Sequence, residues 1–138
     1  MAFLDKDLVA EPEFCTAEKE GDYYLINGEK SYVINGSKAD VLVVFARTGE
    51  ELSAFIVEKE TEGVVCGPQW EKMGLDGVVV TNISFDNVKI PAASLLGEAG
   101  QGAKMLKEAL ELNNIAMAAI AVGIAGQAKE ASIAYSKE

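Results

Sequence analysis

The chain changes character once, close to Pro91, and that change limits what it can fold into. From about Phe14 to Leu96, β-branched and aromatic residues are punctuated by Gly-containing turns. From Gln101 onward the chain is Ala-rich, lacks proline and has two glycines after Gly102. Strands come first and helix follows. The first strand reads Glu13 to Glu20 and ends at Gly21-Asp22. Tyr23 to Ile26 follows, and Asn27-Gly28 predicts a tight hairpin turn into Lys30 to Ile34, since both residues tolerate positive φ. A second Asn-Gly stands at Asn35-Gly36. Val41 to Arg47 is almost continuously apolar and reads as a strand buried on both faces. Leu52 to Glu58, Val64 to Gly67 and Val78 to Asp86, with Val88, complete about seven short strands. That spacing predicts a small antiparallel sandwich or barrel.

Pro91 ends the β-part, and Ala92 to Gly102 forms a loop with a hinge at Gly97, Gly100 and Gly102. One helix is expected from Ala103 to Leu112 and another from Asn114 to Ser136, separate or continuous. The predicted class is therefore α+β, with a β-domain over 1–96 and the hinge and first helices of an incomplete helical domain over 97–138. In the later helix Ile115, Met117, Ala118, Ile120, Val122 and Ile124 place apolar groups on nearly every side. A helix of that kind is a buried one, and one small β-domain cannot cover it.

The charge balance narrows the function classes. Lys and Arg number 12 against 22 Asp and Glu, a net charge of −10, and histidine is absent. Nucleic acid is an unsuitable partner, because phosphate binding needs clustered cations. The commonest general base and metal ligand are missing, and no metal site is expected. Cys15 and Cys66 have no metal-like spacing and suit a reducing compartment. The N-terminus carries acids where a signal peptide carries basic residues. The apolar run Ile115 to Ala125 is too short to span a bilayer, so a soluble cytoplasmic protein is expected.

Several stretches, taken in order, resemble acyl-CoA dehydrogenases. Tyr24-Leu25-Ile26-Asn27-Gly28-Glu29-Lys30 with Tyr32-Val33-Ile34-Asn35-Gly36 is similar to that family's strand, Asn-Gly, Lys and aromatic-Ile-Thr-Asn-Gly stretch. Ser53 to Glu58 with Thr61 to Gly63 is similar to its next hairpin. Lys72-Met73-Gly74-Leu75 resembles its Lys-Met-Gly-Leu, and Phe85 to Pro91 the end of its β-domain. Leu95-Leu96-Gly97 with Gly100-Gln101-Gly102 resembles its entry into the C-terminal helices. The resemblance runs from about Thr16 onward. It implies an enzyme with an N-terminal helical domain, this β-domain and a C-terminal helical bundle, assembled as dimers or tetramers. FAD lies between β-domain and bundle. A glutamate removes the α-proton of an acyl-CoA thioester while a hydride passes from the β-carbon to the flavin. This chain corresponds to about a third of such an enzyme.

Within that resemblance the flavin-binding candidates are Tyr32, Val33 and Ile34. The family's aromatic stacks at the flavin and its next hydroxyl residue bonds near N5, but Ile34 stands in the hydroxyl's place. Backbone contacts from Val33 and Ile34 need no particular side chain. The alternative is that Tyr32 and Ile34 simply alternate with Val33 across a strand face. Val9-Ala10-Glu11-Pro12 resembles the family's Thr-Glu-Pro, yet the Gly-Ser-Asp loop that should follow is absent. Asp76, Val78 and Val80 replace the family's Arg, Ser and Thr, so Asp76 is an altered substrate position. Asn113 and Asn114 fall where some members have Glu-Arg. An amide cannot serve as a carboxylate base, so no catalytic residue is expected, and Asn114 reads as a helix N-cap after a break. Gly97 to Gly102 lacks the ending of a phosphate-binding loop. Glu58-Lys59-Glu60, Lys104, Lys107, Glu108 and Lys129-Glu130 read as solvated charge. Three roles follow: part of a working FAD-dependent dehydrogenase, inactive alone with weak or no flavin binding; a non-catalytic binding or assembly module that has lost flavin; or an unrelated β-domain. The uncovered helix predicts a homo-oligomer.

Overall fold

The computed structural model describes residues 15–138. The expected Val9–Pro12 lead-in, the N-terminal acids and the start of the first strand at Glu13 lie outside the described residues. Six strands are formed: β1 Thr16–Glu20, β2 Tyr23–Ile34, β3 Val41–Thr48, β4 Glu51–Glu58, β5 Val64–Gln69 and β6 Val80–Pro91. A 3-10 turn at Ala92–Ser94 leads to one helix, α1 Gly102–Tyr135. This is the expected α+β class, with six strands among the described residues where about seven were expected. By its contacts the chain divides into two compact units, Met1–Ala103 and Lys104–Glu138.

The strands form one sheet in the order β4-β3-β1-β2-β6-β5. Every neighbouring pair is antiparallel except β1 and β3, which run parallel and meet through the single register pair Thr16–Arg47. Beside it the Arg47 N–H donates to the Cys15 carbonyl at 2.8 Å. At this narrow seam the sheet bends over on itself. The rings of Tyr24 on β2 and Phe55 on β4 meet edge to face at 4.9 Å, although β1 and β3 separate their strands in the sheet. Ile26, Val33, Leu42, Val44, Phe55, Ile83 and Val88 fill the space between the layers and are almost fully buried. Each such side chain contributes about 1.5–3 kcal/mol. Lys30 is buried among them and engaged by neighbouring groups, as a buried charge must be. β3 is less enclosed than its apolar run suggests: Leu42 and Val44 are buried, while Val41 is 52% exposed. One face points into the core and the other is only partly covered.

Asn27-Gly28 does not turn the chain, contrary to expectation. β2 continues through it, and the hairpin turn sits earlier, at Gly21 (φ 60). Gly28 takes φ 130 where β2 passes close to Cys15; a Cβ there would lie 2.7 Å from the Cys15 Cα. The irregularity belongs to the facing strand, where Asp86 and Asn87 oppose Asn27 alone between the pairs Ile26–Val88 and Gly28–Phe85. Asn87 is left-handed (φ 49), and its N–H donates to Asn27 Oδ1 at 2.7 Å. A bulge makes the same demand for positive φ as a hairpin, and local sequence cannot separate the two.

The expected helix break at Asn113-Asn114 is also absent, for α1 runs through both residues. Their lower helix propensity costs about 0.5 kcal/mol each, too little to interrupt a long Ala- and Leu-rich helix. An 18-residue window of α1 has mean hydropathy 1.5, so by length and composition this helix could cross a membrane. The shorter run considered from sequence understates its apolar length. Before the helix, the segment 92–102 is fastened along β4. The Leu96 N–H donates to the Ala54 carbonyl at 2.8 Å, and the Gly100 N–H to Ser53 Oγ at 2.9 Å.

Candidate functional site

The clearest departure from regular structure in the sheet lies at the far end of β2. Between the pairs Lys30–Ile83 and Val33–Thr81, Ser31 and Tyr32 oppose Asn82 alone. Tyr32 takes φ 54, a conformation that costs a residue with a Cβ about 1–2 kcal/mol. The residue is 57% exposed, and its ring stacks on the indole of Trp70, with centroids 5.3 Å apart and planes 29° from parallel. Val33 turns inward and is 1% exposed, whereas Ile34 turns outward at 60%. The described pairing of β1 with β2 ends at Thr16–Asn27. Among the described residues, no strand therefore covers the other edge of Ser31–Ile34.

The three flavin candidates thus occupy different environments. Tyr32 and Ile34 present side chains at the surface, and Val33 contributes packing from below. Asn35 follows in the left-handed region (φ 55) and closes the end of the strand. Its N–H donates to the Val79 carbonyl at 2.7 Å, and the Val79 N–H donates back to Asn35 Oδ1 at 3.3 Å. Asp76 is exposed just past the turn at Gly74 (φ 86) and Leu75 (φ 53). With Gln69, Trp70, Glu71 and Lys72 it lines an open hollow of about 550 Å³. Trp70 also lines a smaller hollow of about 350 Å³ with Pro68, Gln69, Glu71 and Asn82. Tyr32 and Asp76 are consequently joined through Trp70. Asn114 belongs to the other unit, exposed in mid-helix. Among the described residues no group of His, Cys, Asp and Glu is placed to hold a metal ion.

Two members of this surface escape a reading of the sequence: Trp70 and Asn82. Trp70 is the chain's one tryptophan, and an indole between Gln69 and Glu71 was the available signal. Asn82 interrupts an otherwise β-favouring run, where asparagine is normally depleted. Its Oδ1 accepts from the Trp70 indole N–H at 3.0 Å and from the Tyr32 N–H at 3.3 Å. Its Nδ2 donates to Glu29 at 2.9 Å.

This arrangement is an exposed aromatic step beside an apolar side chain and a strand edge that no described strand covers, bordered by carboxylates. It can stack a flat ring and hydrogen-bond it through main-chain groups. It offers no hydroxyl at Ile34.

Residues 7–88 match the family described as acyl-CoA dehydrogenase, middle domain. An acyl-CoA dehydrogenase of Bacillus subtilis is 41% identical over 128 residues, covering 89% of this chain and 34% of that protein. A cyclohex-1-ene-1-carbonyl-CoA dehydrogenase of Geobacter metallireducens is 40% identical over 127 residues, covering 88% of this chain and 33% of its own length. The crystal structure of an acyl-CoA dehydrogenase complexed with FAD from Bacillus anthracis superposes with a TM-score of 0.68 at 35% identity, covering 76% of this chain and 19% of that one. This chain spans about a third of the length of the relatives it matches. With the strand order, the trailing helix and the matched residues in agreement, the chain belongs to the acyl-CoA dehydrogenase family.

Proposed function

We propose that this chain supplies the flavin-facing β-surface of an FAD-dependent acyl-CoA dehydrogenase acting on acyl-CoA thioesters. The observation that carries the proposal is Tyr32. An exposed aromatic residue is held in a left-handed backbone, on a strand edge that no described strand covers, with its ring stacked on a second ring. Backbone strain of this kind persists only where surrounding structure enforces it, and it gathers at functional sites. The residues fit one side of a flat ring system: Tyr32 for stacking, the main chain of Val33 and Ile34 for polar contact, and the Ile34 side chain for excluding water. When bound, FAD supplies the two-electron acceptor for α,β-dehydrogenation. Asp76 sets a carboxyl group beside the Trp70 hollow, and Asn113, where some family members carry the glutamate base, is an amide that cannot accept the proton. Taken alone, these 138 residues therefore hold a ligand face without the base that the reaction needs.

We assign the β-domain to residues 1–96 and the hinge and first bundle helices to 97–138. The homo-oligomer expected from the apolar helix, and a cytoplasmic location, belong to the same reading. Neither cysteine is joined in a disulfide, which suits a reducing compartment. A second reading, a binding or assembly module that no longer takes flavin, is favoured by one observation: Ile34 places an aliphatic group on the surface where a hydroxyl would be needed.

Trp70 is the sole tryptophan and stacks on Tyr32, so its emission separates the two readings. Titration with FAD, corrected for absorbance, is expected to quench it saturably. The dissociation constant should be weaker than about 1 μM, because tighter binding requires about 8 kcal/mol from a few contacts. No quenching at millimolar FAD would favour the flavin-free module. A parallel assay with short, medium and long acyl-CoA and an artificial electron acceptor is expected to show no turnover above a flavin-only control. Turnover would overturn the reading that these residues lack the catalytic base.

A further inference from the structure

We infer that Asn82 is the positioning residue of this aromatic surface: it sets the Tyr32 and Trp70 rings against each other, so that a flat ligand meets a formed face. The identity of the ligand rests on the flavin reading; the geometry does not. Two register breaks converge on Asn82. On the β2 side Ser31 and Tyr32 oppose it alone. On the β5 side Gly67 and Pro68 do, between the pairs Cys66–Ile83 and Gln69–Thr81. A bulged strand takes its extra residue out of the regular ladder, and here both neighbours of β6 are bulged at the same level.

One side-chain oxygen reaches to both sides of β6. Asn82 Oδ1 takes the Tyr32 N–H on one side and the Trp70 indole N–H on the other. The bond from Nδ2 to Glu29 fixes which way the amide faces, since an amide has one accepting end and one donating end. A smaller or apolar residue would leave the left-handed turn at Tyr32 without its partner and let the indole rotate. β5 does not depend on Asn82 for its attachment. Thr81 Oγ1 reaches the Gly67 carbonyl at 2.6 Å and the Pro68 carbonyl at 3.2 Å. Removing the Asn82 side chain should therefore loosen the rings and leave the sheet assembled.

The molecule carries its own control. Asn27 clamps the bulge at Asn87 by the same device, and that bulge presents no aromatic ring. Asn82→Ala and Asn27→Ala each delete an asparagine clamp, but only the first touches the aromatic pair. In the 138-residue chain, the near-ultraviolet circular dichroism of the Tyr32–Trp70 pair is assigned by its loss in Trp70→Phe. Asn82→Ala is expected to bring that signal down to the Trp70→Phe level, and Asn27→Ala to leave it as in the wild type. With FAD as probe, Asn82→Ala is expected to weaken Trp70 quenching about tenfold, the worth of roughly one net hydrogen bond, with Asn27→Ala unchanged. If the wild type shows no quenching, the flavin reading fails and the dichroism alone decides the inference. A wild-type dichroism in Asn82→Ala, or equal losses in both variants, would overturn the role assigned to Asn82.

Discussion

At the scale of single residues, left-handed backbone positions are where this sheet stores its cost. Asn87 and Gly28 meet that cost cheaply, asparagine because its side chain suits the conformation and glycine because it has no Cβ. Tyr32 does not, and its ring is correspondingly the exposed one. Gly28 is the sharpest structural test, because two penalties coincide there: a φ of 130, and a Cβ that would sit 2.7 Å from the Cys15 Cα. The contact is with backbone, so it cannot be relieved by rotating a side chain. Gly28→Ala is expected to lose about 2–4 kcal/mol, from overpacking and strain together, read as a lower urea midpoint with an unchanged slope. Gly49→Ala is the comparison. Gly49 has φ 66 and nothing within 4 Å of a new Cβ, so strain alone should cost about 1 kcal/mol. Equal losses would mean that Gly28 is required for conformation only, and that its approach to Cys15 is immaterial.

At the scale of elements, what was legible in the sequence depended on how far the determining contact lay along the chain. The β3–β4 hairpin was legible because Gly49 and the flanking apolar alternation are neighbours in sequence. The long reach of β2 and β6 was not, since each is continuous only by virtue of a bulge that the other strand accommodates. The candidate surface divides in the same way. Tyr32 was visible through its neighbours in the motif, whereas Trp70 and Asn82 join it only through the paired register breaks. In α1 the two asparagines looked like a boundary, and local propensity was outweighed by the helix on either side. Gly123 and Gly126 are its other weak points, and a Cβ at either would meet nothing within 4 Å. Gly123→Ala and Gly126→Ala are each expected to raise helix stability by about 1 kcal/mol, seen as greater helical dichroism on heating. Destabilisation would show that these glycines are occupied by a close neighbour that the isolated chain only acquires in solution.

At the scale of the whole molecule the two units carry very different charge. From Lys104 to Glu138 there are four lysines and four glutamates, a sum of zero, so the chain's net −10 resides entirely in residues 1–103. No charged residue interrupts α1 between Glu111 and Lys129. Along that stretch Leu112 is 72% exposed, Ile115 70%, Val122 73% and Ile124 62%. Leaving three such side chains in water forgoes about 4–9 kcal/mol at 1.5–3 each, as much as the whole stability of a small domain. Helices that are neutral and apolar in the middle do not repel one another, and an antiparallel pair also sets opposite dipole ends together. A two-fold dimer through α1 is the arrangement most often met by such a surface. Ala118, Ala121 and Ala125 would let the axes come close. Light scattering behind size-exclusion chromatography is expected to give a dimer at micromolar concentration, with a melting temperature that rises with concentration as mass action requires. Replacing Ile115 and Val122 with glutamate should return a monomer whose β-sheet signal is unchanged. A wild-type monomer throughout that range would eliminate pairing through α1. Quantitative sedimentation with phospholipid vesicles would instead assign the helix to a bilayer, which its length and hydropathy permit. Dimers that survive both glutamates would place the contact on the acidic β-unit, where ten net charges per copy should make the association strengthen steeply with added salt.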